Sequence, residues 1–174
     1  MNRFLGRANK RLSLGSAAML LAGSAFIGTI LGILRTKLIN ANFNNFESDA
    51  YFAAFKIPDF VFFTLASGAL GVAFLPILSE RLQKNKQSAW EVSSYVLNAL
   101  AVVAFISSVL IMVFARPLLS RVVAPGFTSE QMDLTVAIMR IISVNIFLFA
   151  ISTVLTTLQQ ALGRFFFAAI APLF

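Results

Sequence analysis

Polar and hydrophobic positions in this chain segregate on the scale of whole helices. Charged residues gather in short clusters and leave four long uncharged stretches: Leu12 to Leu34, Phe60 to Ser79, Val92 to Ala115 and Ile141 to Gly163. A helix needs about 20 mostly apolar residues to cross a bilayer, and each stretch reaches that length. The pattern predicts an all-α fold, a polytopic membrane helix bundle with four complete spans. A further apolar run from Arg164 to Phe174 reads as the start of a fifth span, as though the chain were cut in mid-pattern.

Turn and cap signals punctuate these runs. Asn40, Asn42, Asn44 and Asn45 favour a turn, so the first helix should end there, and Ser48 or Asp49 should cap a second one. Pro58 is expected to interrupt that second helix, making Lys56, Pro58 and Asp59 an irregular, hydrated point. Gly68, Gly71 and Pro76 mark a flexible or closely packed continuation. Glu80 to Glu91 reads as a short charged loop with Trp90 at headgroup level, and Arg116-Pro117 should close the third long run. Val123 to Phe127, with Pro125 and Gly126 inside it, is a turn. Thr128 to Gln131 is a capping box opening a helix that runs to Gln160 and ends at Gly163. Within the first span, Ser24, Gly28 and Gly32 recur every four residues and should let a neighbouring helix approach closely.

Composition removes several classes of chemistry. The chain is 59% hydrophobic and 12% charged, with 19 Phe among 174 residues, as expected of a surface that faces lipid. It has no cysteine and no histidine, so disulfides, thiol catalysis, His-dependent triads and the usual zinc or haem ligands are unavailable. No metal site, cofactor or nucleic-acid partner is expected. The basic residues Arg3, Arg7, Lys10 and Arg11 precede an apolar run too long for a secretory h-region and lacking a cleavage site. Residues 1–11 thus read as a basic cytoplasmic N-terminus and 12–174 as the transmembrane domain. With the N-terminus inside, eight Lys and Arg fall on the cytoplasmic side and six outside, a mild bias in the direction membrane topology favours.

Few charges lie where function could use them. Arg35 and Lys37 sit at the outer end of the first span. Ionisable groups at such depth are costly unless they snorkel or face a cavity or partner. An antiparallel hairpin of the first two helices would bring Asp49 within reach of Arg35, where the two could neutralise each other; alternatively Asp49 caps its helix. Lys56 and Asp59 are three residues apart and could pair on one helix face.

Several segments resemble, in order and spacing, the N-terminal part of the MurJ (MviN) family of lipid II flippases, in the multidrug/oligosaccharidyl-lipid/polysaccharide exporter superfamily. They are Gly32-Ile33-Leu34-Arg35, the block from Ser48 to Asp59, Gly68-Ala69, Ala73 to Leu78, Ala124-Pro125-Gly126-Phe127 and Arg164-Phe165. The resemblance implies a larger two-lobed transporter of which this chain is the first part of one lobe. It implies Arg35 as a cavity arginine and Asp49 as the acidic residue opening its block; together with Lys56 these are the candidate substrate-binding residues. Where many members carry two adjacent arginines this chain has Phe62 and Phe63, and Ser67 stands in place of a glutamate.

The activity implied is flipping of a polyprenyl-pyrophosphate-linked glycan precursor across the bacterial cytoplasmic membrane by alternating access. An ion gradient or the membrane potential would drive it, with no covalent chemistry, and contacts with cell-wall synthesis machinery would fit. Two alternatives stay open. A drug antiporter or O-antigen-type exporter shares the superfamily, although an antiporter for organic cations would want carboxylates inside the spans, and the four uncharged stretches contain none. A scaffold that recruits partners without transporting would need no lined cavity at all.

Overall fold

The computed structural model describes residues 14–66, 74–84 and 86–162. Among the described residues five α-helices follow in chain order: α1 (Leu14–Asn42), α2 (Asn45–Leu65), α3 (Leu75–Lys84), α4 (Lys86–Leu118) and α5 (Ser129–Ala161), with a π-helical turn at Leu119–Val123 between the last two. Among the described residues there is no strand. The basic N-terminus, Gly68, Gly71, Gly163 and the run from Arg164 to Phe174 lie outside the described residues.

Among the described residues three helical segments are long and apolar enough to cross a membrane, Ala18–Asn42, Gln87–Val123 and Ser129–Ala161, one fewer than the pattern predicts. The difference is the stretch Phe60 to Ser79, which is not one described helix: α2 takes its first residues and α3 its last. The long helix at this place is α2, whose 21 residues include Glu47, Asp49, Lys56 and Asp59, too many charges for an apolar span. It nevertheless runs beside the apolar helices. Residues 47–59 of α2 meet α1 in reverse order, whereas Phe46 and Phe62 meet Gln131 and Phe149 of α5 in the same order. Helix α4 crosses α5 antiparallel, Ser108 donating to the Ser143 carbonyl at 2.7 Å and Arg116 pairing with Asp133 at 2.5 Å. Directions therefore alternate along α1, α2, α4 and α5.

The helix boundaries follow from specific backbone partners. Helix α2 starts one turn earlier than Ser48 or Asp49 would place it, because Asn44 and Glu47 form a reciprocal box. The Glu47 N–H donates to Asn44 Oδ1 at 2.9 Å, and the Asn44 N–H donates to Glu47 Oε2 at 3.3 Å. Thr128 caps α5 as its sequence predicts, accepting the Gln131 N–H at 3.3 Å. The returning half of that box is absent, because the Gln131 amide instead donates to the Phe46 carbonyl at 3.1 Å and ties α5 to α2.

Neither proline ends its helix. Pro58 removes one backbone donor and is buried, but α2 continues to Leu65 around it. In α4 the helix bends rather than closing at Arg116-Pro117. Phe114 leaves helical geometry at φ −95° and ψ 15°, and Arg140 Nε on α5 donates to the Met112 carbonyl at 3.2 Å beside the kink. The described residues between Glu80 and Glu91 are also helical rather than a loop, belonging to the end of α3 and the start of α4. Lys84 Nζ holds Glu80 Oε1 at 2.6 Å one turn away, and this hydrogen bond draws the Glu80 carboxyl below its ordinary value.

Packing is concentrated in α2, α4 and α5. Ala54, Ala104, Ile111, Ala115, Leu119, Met139 and Ile146 form one core, and Phe74, Leu78, Ala89, Leu100 and Val154 form a second at the other end. Lipid tails are as apolar as leucine, so close approach between small residues, rather than exclusion of water, holds such helices together. Helix α1 stands apart. None of the described residues of its apolar window is fully buried; Ser24 and Gly28 of the small-residue face are half-buried, whereas Gly32 is exposed and a Cβ added there would meet nothing within 4 Å.

Candidate functional site

The site grows from the rotational setting of α2. Ala50, Ala54 and Pro58 lie one turn apart and are buried in the bundle. The neighbouring stripe of Tyr51, Phe55 and Lys56 is thereby turned toward α1 and the space between the helices. Arg35 of α1 reaches across to it: its Nη2 donates to the Tyr51 hydroxyl at 2.6 Å, and its Cζ lies 5.5 Å from the ring centroids of both Tyr51 and Phe55. A guanidinium over two aromatic faces is held in place while its remaining donors stay available.

Below Arg35 is a cavity of about 460 Å³ between α1, α2 and α5. Its wall includes Arg35, Lys56, Pro58 and Asp59, with Asn145 and Ile146 from α5 and Phe62 against Phe149 at a centroid distance of 5.5 Å. Arg35 and Arg140 close the apolar runs of their helices, Leu12 to Leu34 and Ile141 to Gly163. With a rise of 1.5 Å per residue, Lys56, Asp59 and Phe62 lie about 8, 12 and 16 Å further along α2 than Tyr51, and Asn145 and Phe149 about 8 and 14 Å beyond Arg140. The cavity thus runs from the end of the apolar zone into it. It holds two cations and one carboxylate.

Asp49 does not join Arg35. Two residues of helix separate it from Tyr51 by about 200° around the axis, so it faces away. It lines a separate recess of about 470 Å³ with Phe52, Lys56, Val123, Gly126 and Phe127. Its capping role goes to Asn44. Lys56 and Phe52 border both recesses. The expected Lys56–Asp59 ion pair is also absent: among the described residues the salt bridges are Lys84–Glu80 and Arg116–Asp133. Lys37 is exposed and shares a shallow recess with Arg35, Thr29 and Gly32. Pro76 is exposed on α3, and Pro125 and Gly126 form an exposed turn before α5.

Sequence reasoning did not single out Tyr51, Phe55 or Asn145. Asn145 carried a usable signal, being an amide within an otherwise apolar membrane run. Tyr51 and Phe55 carried none, since aromatic residues on a membrane helix ordinarily face lipid.

The profile of the family described as "Lipid II flippase MurJ" matches residues 38–174. Over 162 residues the chain is 30% identical to a protein named probable lipid II flippase MurJ from Rhizobium tropici, a match covering 87% of this chain and 30% of that protein. It is 28% identical over 165 residues to the probable lipid II flippase MurJ of Rickettsia prowazekii (strain Madrid E), covering 93% and 32%. It is 25% identical over 162 residues to the lipid II flippase MurJ of Thermosipho africanus (strain TCF52B), covering 92% and 33%. The chain spans about a third of the length of these curated relatives. No solved structure matches it.

Proposed function

The chain belongs to the lipid II flippase MurJ family, and from that premise we propose that the full-length protein moves a polyprenyl-pyrophosphate-linked peptidoglycan precursor from the inner to the outer leaflet. The observation that carries this reading is Arg35: a guanidinium positioned by Tyr51 and Phe55, in no salt bridge among the described residues, above a cavity that carries Lys56, Asp59 and Asn145 on largely apolar walls and enters the apolar zone. A pyrophosphate crossing about 30 Å of hydrocarbon must lose much of its hydration. The planar fork of Arg35 can replace water at two phosphate oxygens, and Lys56 supplies a second positive charge deeper along the same wall. The isoprenoid tail can stay in lipid. Such a protein is a transporter and not an enzyme, working by alternating access between two lobes, with a membrane potential or ion gradient acting on the cavity charges.

Phe62 stands on the cavity wall where many family members carry a cation, so Arg35 and Lys56 would bear the anion-binding load here. A second reading draws on Asp59, because a carboxylate facing a membrane cavity is what an organic-cation antiporter would use. Two cations against one carboxylate favour the anion.

Depleting the full-length protein in its host tests the reading. The precursor should accumulate on the cytoplasmic side of the membrane, followed by loss of cell shape and lysis. An unchanged distribution between leaflets would exclude a peptidoglycan precursor as the cargo.

The protein is proposed to sit in the bacterial cytoplasmic membrane with its N-terminus inside, from the lysine and arginine bias. Cysteines placed singly at the exposed positions Gln83 and Ser129 should then react with an impermeant thiol reagent from the cytoplasmic and outer faces, respectively. Labelling of Gln83→Cys from outside intact cells would invert the topology.

A further inference from the structure

Asp59 brings into the cavity an ionisable group for which anion binding has no evident use. It lies one helical turn beyond Lys56, and its side chain lines the same wall as Arg35 and Lys56 while forming a salt bridge with neither. The charged groups facing it are Arg35 from α1 and Lys56 from its own helix; α5 contributes only the neutral amide of Asn145. The cavity therefore carries one net positive charge with Asp59 ionised and two with it protonated.

We propose that Asp59 is a proton-linked counter-charge of this cavity, so that a diphosphate anion and an ionised Asp59 compete for Arg35 and Lys56 and anion binding takes up a proton. This inference rests on the reading of the cavity as a pyrophosphate site and adds a means of coupling to it. With no cargo, the carboxylate offsets the two cations and lowers the cost of holding them within the membrane. When a diphosphate enters, the same carboxylate repels it, and the complex favours the protonated form. By linkage, affinity is greatest where Asp59 is already protonated, falls as pH rises through its ionisation, and levels off where the anion can no longer hold the proton there. A single charge about 8 Å from the phosphates, at an effective dielectric constant near 20, corresponds to a change of roughly 30-fold.

The test uses the purified full-length protein and a soluble farnesyl-pyrophosphoryl-N-acetylglucosamine, whose diester phosphates do not titrate between about pH 5 and pH 8. Wild type should lose at least about threefold in affinity across that range and take up protons on binding at its acid end, seen by calorimetry in buffers of different ionisation enthalpy. Asp59→Asn should bind with the tight, low-pH affinity at every pH and take up none, whereas Asp59→Glu should keep the pH dependence. A wild-type affinity independent of pH, or an unchanged profile in Asp59→Asn, overturns the inference while leaving the pyrophosphate site standing. Failure of wild type to bind the probe at any pH overturns the pyrophosphate reading and this inference with it. If Asp59→Asn does not fold, proton uptake by wild type decides.

Discussion

Arg35→Ala in the full-length protein should abolish its ability to support growth while membrane levels stay normal. Arg35 is exposed to the cavity and not built into the helix core, so its loss removes no packed volume. What it removes is the charge and the hydrogen-bond fork that would meet a pyrophosphate. Truncating one partner of a desolvated, hydrogen-bonded charge pair costs about 2–5 kcal/mol, or roughly 30-fold to several thousandfold in affinity. Arg35→Lys should rescue in part, because a point charge reaches phosphate but cannot bind it bidentately. Tyr51→Phe provides an internal comparison. It keeps the ring under the guanidinium and deletes only the 2.6 Å hydrogen bond, so activity should drop by a modest factor. Normal growth with Arg35→Ala would mean that this cavity does not carry the cargo.

Ala54→Leu should be the most damaging substitution away from the cavity lining. Ala54 is 0% exposed, in the core where α2 meets α4 and α5, with Ala104, Ala115, Met139 and Ile146 in the same cluster. Adding three carbons there must push α2 away from α5, and overpacking of this kind costs about 1–3 kcal/mol. The displacement would also carry Tyr51, Phe55 and Lys56 away from their present positions, so transport should fail along with stability. A lowered melting temperature in detergent, set beside an unchanged one for the lipid-facing Val102→Leu, would establish the point. If Ala54→Leu melts like wild type, the α2–α5 seam is looser than its burial indicates.

Much of the architecture was legible in the order of the residues. The long apolar runs of α1, α4 and α5 are visible because the cost of placing a charge in lipid acts on each segment separately, whatever its neighbours. The Thr128 cap was legible for the same reason, being set by residues three apart. The Asn44 cap was missed because Asn44, Ser48 and Asp49 are all good caps. The choice went to the residue that also had a reciprocal partner in Glu47. Pro58 and Pro117 read as helix breakers because proline costs a hydrogen bond wherever it stands. Tertiary packing at Pro58, and a kink beside the Arg140–Met112 contact at Pro117, let both helices continue.

The sequence by itself determined the class of molecule, the apolar helices and the short inventory of cations and carboxylates from which any site must be built. It also placed Arg35 at the end of an apolar run, a property of one segment. Which residues share a cavity was decided only by the tertiary structure. Asp49 and Tyr51 are equally near Arg35 along the chain, yet Tyr51 meets it and Asp49 faces the turn before α5. The physical reason is that transfer into lipid sets where a helix lies along the membrane normal but leaves its rotation about its own axis free. That angle is set by which stripe packs: here Ala50, Ala54 and Pro58 go into the bundle, which turns Lys56 and Asp59 toward the cavity beneath Arg35.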